Sequence, residues 1–202
     1  MAAEPQTLVT LDLEGVLAPE IWIATAEATG VDAFLRTTRD EPDYELLMKG
    51  RLQALADNDI SFSQLIEIVE TLEPLKGAVE FINRLQTVFP IVILSDTFEQ
   101  LAAPMFAKLG SPLVLCHRLT IEDDRVTGAA VRRFNAKQHA VEAFHSLGYK
   151  VIGVGDSFND LTMLRSADRA VLFRPSELVR SQNSDLRCTS DYAELFEMIV
   201  NP

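Results

Sequence analysis

Residues 7–17 read TLVTLDLEGVL, five apolar or β-branched residues running directly into Asp12, Leu13, Glu14 and Gly15. A strand with no polar face belongs inside a sheet covered on both sides. Four more short apolar runs follow, at residues 90–95 (PIVILS), 113–116 (LVLC), 151–155 (VIGVG) and 170–173 (AVLF). Helical periods lie between them: residues 77–88 place Val79, Ile82 and Leu85 on one face, 99–109 stop at Gly110, and 137–147 stop at Gly148. This alternation predicts an α/β fold, a mostly parallel sheet with helices on both faces. Residues 117–131 differ, with alternating residues around Asp123 and Asp124, and predict a hairpin packed beside the sheet.

The rhythm breaks between residues 18 and 72. Three helical patterns, at 20–29, 43–57 and 61–72, follow one another without a strand, separated by Gly30, by residues 37–42 and by 58–60. The expected organisation is a core of residues 1–17 and 73–202 with a small helical cap, 18–72, inserted after the first strand.

Composition narrows the function classes. The 202 residues carry 18 Lys and Arg against 30 Asp and Glu, a net charge of −12. That balance opposes nucleic-acid partners and anionic membrane surfaces. Two cysteines are too few for a disulfide framework, and no apolar run reaches the roughly 20 residues that span a bilayer. Residues 1–4 place no basic residue ahead of an apolar run, so the expectation is a soluble cytoplasmic protein. Nothing in the sequence sets the oligomeric state.

Chemistry concentrates where strands end. The first strand ends in Asp12 and Glu14, the 90–95 strand in Ser95, Asp96 and Thr97, and the 151–155 strand in Asp156, Ser157, Asn159 and Asp160. Any one of these clusters is an ordinary cap or turn. Three at the carboxyl edge of a parallel sheet converge on one crevice. Asp12 and Asp156 suit a hard divalent cation such as Mg2+, and Asp12 suits nucleophilic attack on phosphorus. Lys137, at the start of a helix, offers the fixed positive charge, and Ser95 Oγ with nearby amides completes a phosphate cradle. Glu14 shares the face of Asp12 and suits proton transfer.

These residues resemble the motifs of the haloacid dehalogenase (HAD) superfamily of phosphohydrolases. Residues 12–17 (DLEGVL) look like its first motif, Ser95 its second, Lys137 its third and residues 155–160 (GDSFND) its fourth. Glu14 departs from the Asp found there in most phosphatases of the family. The chain looks most like phosphoserine phosphatases, closest to the bifunctional phosphoserine phosphatase/homoserine phosphotransferase branch, by residues 12–17, 19–24 and 93–98. The resemblance implies a HAD-like Rossmannoid core, a Mg2+ cofactor held by Asp12, Asp156 and the backbone carbonyl of Glu14, and an aspartyl-phosphate on Asp12. It implies substrate contacts from Glu20 to an ammonium, from Arg51 to a carboxylate, and from Ser95, Asp96, Lys137 and Asn159 at the phosphate end, with Asp160 orienting the metal shell. The implied substrate is the small molecule phosphoserine, with homoserine as a second phosphoryl acceptor. Alternatives are another small phosphomonoester or a receiver-type module with a stable phospho-Asp. The absence of G-x-x-x-x-G-K-[ST] and G-x-G-x-x-G opposes a nucleotide-binding module.

Overall fold

The computed structural model describes residues 5–37, 40–41 and 43–201. The expectations that touch residues 1–4, 38–39, 42 and 202, on the N-terminal segment and part of the 37–42 linker, lie outside the described residues. Seven strands, β1 Thr7–Leu11, β2 Ile91–Phe98, β3 Val114–Glu122, β4 Arg125–Ala130, β5 Lys150–Gly155, β6 Arg169–Phe173 and β7 Arg187–Thr189, form one sheet in the order β4-β3-β2-β1-β5-β6-β7. Neighbours run parallel except β3 and β4.

The apolar runs are buried on both faces, as their lack of a polar side requires. Val9, Leu11, Ile91, Ile93, Ile152, Val154, Val171 and Phe173 face one layer, and Leu8, Val92, Leu94, Val151 and Leu172 face the other. The first layer holds α4 Ala78–Gln86, α5 Glu99–Lys108 and α9 Tyr192–Val200; the second holds α6 Ala136–Ser146, α7 Leu161–Ser166 and α8 Glu177–Gln182. Period-two alternation thus sorts each strand between two cores.

The segment between β1 and α4 contains α1 Ile21–Thr29, a 3-10 turn Asp32–Leu35, α2 Tyr44–Asp57 and α3 Phe62–Thr71, with no named strand among the described residues. Gly30, left-handed at φ 71°, ends α1 as its position suggests. Ser61 and Gln64 form a reciprocal capping box that starts α3.

The hairpin is a correction to the sequence reading. It does not pack beside the sheet: β3 pairs in parallel with β2 at Leu94–Leu115 and in antiparallel with β4 from Arg118 onward, so the hairpin is the sheet's own edge. One long strand, paired with β2 in its first half and with β4 in its second, joins what periodicity divides into two pieces. At the hairpin tip, Asp124 accepts from Ser63 N and Oγ at 2.9 and 2.8 Å and receives Phe62 N on its carbonyl. At the other end of α3, Lys108 Nζ donates to the carbonyls of Glu70 and Leu72. This helix is therefore fastened to the sheet edge and to α5.

Ile93 is fully buried at the centre of this arrangement. Ile93→Ala is expected to cost about 2–5 kcal/mol of stability, read as a shift in urea midpoint at constant m-value.

Candidate active site

The sheet order explains the convergence of the polar clusters. β2 and β5 flank β1: the chain builds outward from β1 through β2, β3 and β4 on one side, then crosses back through α6 to place β5 on the other, so a crevice opens at the carboxyl ends of these three strands. Asp12 follows β1, Asp156 follows β5, and β2 runs on through Ser95, Asp96 and Thr97 rather than stopping at residue 95. These residues line a cavity of about 320 Å³ together with Glu14, Glu20, Arg51, Lys137 and Asn159. These residues therefore share one cavity, while Asp160, assigned by the resemblance to the metal shell, lies behind its lining.

Lys137 is at its floor. Asn135, left-handed at φ 50°, turns the chain into α6 so that Lys137 points from the first turn into the sheet edge. It is only 4 % exposed. Its Nζ donates to Asp12 Oδ1 at 2.8 Å and to Asp160 Oδ1 at 2.7 Å, and Asp96 Oδ2 lies 3.7 Å away. Burial pulls the ammonium towards neutrality, but Asp12, Asp160 and Asp96 outweigh it and hold it charged, well above the ordinary lysine range.

The carboxylates outnumber this cation. Oxygens of Asp12, Asp156 and Asp160 lie within 4.8 Å of one another, all three buried. Burial first, then Asp160, pushes Asp12 well above the carboxylate range despite Lys137. The same two causes carry Asp156 up to about 7. An all-oxygen set with excess buried negative charge is a donor chemistry that fits Mg2+. The backbone is shaped around it. A Cβ on Gly15, which is left-handed at φ 81°, would fall 2.4 Å from Asp156 Oδ2, and one on Gly155 would fall 2.4 Å from the Asp160 Cβ. Asp160 is itself occupied, because Oδ2 accepts from the N–H groups of Asp156 and Ser157 while Oδ1 holds Lys137.

The Glu14 carboxylate lies outside that cluster. Its Oε1 accepts the N–H of Ile21, the first residue of α1, at 2.8 Å, so it caps that helix from across the turn. Burial, then Glu20, raises its carboxyl to about 7 against the pull of the Ile21 amide and Arg51.

Arg51, from α2, is buried against Trp22, its guanidinium 4.8 Å from the ring centre. Nη2 donates to the carbonyl of Arg36 at 3.0 Å, whereas Nε is a buried side-chain donor with no partner. An unsatisfied buried donor costs about 1–3 kcal/mol, so this side chain is held in place at a local cost. Sequence reading missed Tyr44, whose hydroxyl donates to the Asp96 carbonyl at 2.9 Å, and His117, 3.5 Å from Asp96 Oδ1. Neither has a local motif. Each becomes a neighbour of Asp96 only when α2 and β3 are in place.

A family profile described as haloacid dehalogenase-like hydrolase matches residues 7–168. The chain belongs to that family. It is therefore a hydrolase, and among its curated relatives a protein of Pseudomonas aeruginosa named phosphoserine phosphatase ThrH is 48 % identical over 189 residues, covering 93 % of this chain and 92 % of the relative. A phosphoserine phosphatase of Pseudomonas syringae pv. tomato is 49 % identical over 175 residues, 86 % of this chain and 74 % of the relative. A substrate-bound phosphoserine phosphatase structure superposes with a TM-score of 0.81 at 20 % identity, covering 97 % of this chain and 99 % of that one, a likeness of HAD fold. No helix among the described residues is long and apolar enough to cross a membrane.

If the HAD acidic cluster holds Mg2+, millimolar Mg2+ added to metal-free protein raises Tm by about 5 °C, since binding to the folded state alone adds RT ln(1 + [L]/Kd). EDTA reverses the rise. Asp156→Asn removes it.

Proposed function

We propose that the protein hydrolyses L-phosphoserine to L-serine and phosphate through an aspartyl-phosphate on Asp12. The observation that carries this reading is a cavity with two chemically distinct ends. At one end the buried Asp12–Lys137 pair adjoins Ser95 and Asp156; at the other the Arg51 cation lines the cavity together with Glu20. A substrate bearing phosphate, carboxylate and ammonium matches that pattern group by group. The two Pseudomonas relatives named phosphoserine phosphatase support the same substrate.

In this reading residues 18–72 are a cap over a core of 1–17 and 73–202. Lys137 and Ser95 Oγ bind the phosphate, which carries about −1.5 to −2 charge at neutral pH. Arg51 clamps the carboxylate, and Glu20 takes the ammonium. Asp12, Asp156 and the Glu14 carbonyl are the residues that would hold Mg2+, with Asp160 orienting them. When bound, the cation would offset repulsion between Asp12 and the phosphoryl oxygens. Asp12 then attacks phosphorus, and the bond to the serine oxygen breaks. Glu14 Oε1 is held by Ile21 N–H, which leaves Oε2 to give its proton to the departing serine alkoxide. The deprotonated Glu14 next removes a proton from water as that water attacks the phosphorus of the acyl-phosphate, releasing phosphate and restoring Asp12. Cap helices over the cavity exclude bulk water from these steps. A cytoplasmic setting accords with the free thiols of Cys116 and Cys188.

Phosphate release measured across a panel of small phosphomonoesters should be fastest with phosphoserine. Asp12→Asn should lower it at least 1000-fold, in the range that loss of a nucleophile produces. Arg51→Met should raise KM for phosphoserine about tenfold or more while leaving phosphoethanolamine, which lacks the carboxylate, little changed. Undiminished turnover by Asp12→Asn would sink the covalent mechanism; equal rates for all esters would sink the substrate.

The resemblance of residues 12–17 and 93–98 to the bifunctional branch supports a second acceptor. Homoserine differs from serine by one methylene, and its hydroxyl would replace water as nucleophile towards phospho-Asp12. Incubation with phosphoserine, Mg2+ and homoserine should yield phosphohomoserine, detected by phosphorus NMR. Free phosphate as the sole product would rule the transfer out.

A further inference from the structure

His117 is a buried titratable side chain, 3 % exposed, that the proposed chemistry leaves unused. It reaches the site through an irregularity of the sheet. The pairing of β2 with β3 shifts register between Leu94 and Phe98, and Phe98 then pairs with His117. The shift frees Ser95 to Thr97 from regular pairing and turns Asp96 towards the imidazole. The ring is flanked by Tyr44 and Phe98, with centroids 6.1 and 6.3 Å away, so its plane is set by packing.

Its hydrogen bonds define its tautomer. The backbone N–H of Arg132 donates to His117 Nδ1 at 3.2 Å, which makes Nδ1 the acceptor and leaves the proton of the neutral ring on Nε2. Nε2 faces Asp96 Oδ1 at 3.5 Å. The opposite oxygen, Oδ2, accepts from Asn159 Nδ2 at 3.2 Å and lies 3.7 Å from Lys137 Nζ. Both ends of the Asp96 carboxylate are thereby engaged, although its side chain is one-third exposed to the cavity.

That restraint matters because Asp96 is an anion beside a phosphate pocket. Released from His117, its carboxylate would be free to swing into the cavity, compete with phosphate for the Lys137 ammonium and repel the incoming dianion. We propose that His117 is a positioning residue for phosphoryl transfer, acting through Asp96 to hold Lys137 and Asn159 at the phosphate end of the cavity. The inference rests on the phosphatase reading of the site and adds to it a residue from β3, outside the four motifs.

Two measurements test it. In substrate-free protein labelled with nitrogen-15, long-range proton–nitrogen spectra should show the His117 ring protonated on Nε2, with that signal shifted in Asp96→Ala. In kinetics, His117→Gln keeps a donor near the Nε2 position, His117→Asn keeps only the Nδ1 position, and His117→Phe keeps only the ring packing. The Gln variant should retain kcat within about twofold, while Asn and Phe lose about tenfold or more with KM within twofold, the scale of one hydrogen bond to a charged group. Thermal melts of the Gln and Asn variants should match. A ring protonated on Nδ1, full kcat in the Asn or Phe variant, or an equal fall in all three variants would overturn the proposal. The kinetics use whichever phosphomonoester the wild-type enzyme hydrolyses fastest, so failure of the phosphoserine assignment leaves this result readable, and the spectra need no substrate.

Discussion

One ammonium group, Lys137 Nζ, is shared by Asp12 and Asp160 at hydrogen-bond distance and faces Asp96 at 3.7 Å. Burying such a cluster is expensive, and removing one member of a buried ion pair typically costs about 3–5 kcal/mol because the other is left uncompensated. The fold therefore has to deliver all its members together. Asp12 comes from the end of β1, Asp96 from β2, Asp160 from the turn after β5, and Lys137 from the first turn of α6. Loss of parallel register between β1 and either flanking strand would separate them. The alternating apolar side chains that fill both layers of the core are what prevent that slip.

The inserted helices are tied into the same network by two short links. Glu14 caps α1 through the Ile21 amide, and Tyr44 of α2 reaches the Asp96 carbonyl. A buried carboxylate seated on the N-terminus of α1 ties the placement of that helix to the cavity. By contrast α3 is held by Asp124 and Lys108, so α1 and α2 carry the contacts of these helices with the cavity.

Net charge and local field point in opposite directions. A chain at −12 repels polyanions, yet the substrate proposed for its cavity carries a phosphate. Much of the site's own acidity, in Asp12, Asp156 and Asp160, fits the gathering of a cation, while Lys137 and Arg51 stand at separate ends of the cavity. The acid excess opposes nucleic acid through its long-range field. It leaves room for a small anion, whose binding is decided within a few ångströms.

The strands and helices that carry the motifs are legible in the sequence because their signal is local. Five unbroken apolar runs mark buried strands, glycines mark helix ends, and Asp12, Ser95, Lys137 and Asp156 announce themselves as polar residues at the ends of such elements. Residues 7–17 alone imply a central strand delivering an acidic pair to a sheet edge. Local patterning does not reveal which strands are neighbours, because hydrogen bonding between strands leaves no trace in periodicity; hence periodicity predicts a hairpin beside the sheet, and only the pairing of β3 with β2 makes it the edge. Nor does it reveal His117 and Tyr44, whose importance lies in contacts with Asp96 made across long stretches of chain. Sequence determined the elements that carry the motifs and the polar residues at their ends, while β7 and the helices α7 to α9 leave no pattern strong enough to mark them. Tertiary structure alone decided their partners, because burial, desolvation and hydrogen-bond direction are properties of neighbours in space.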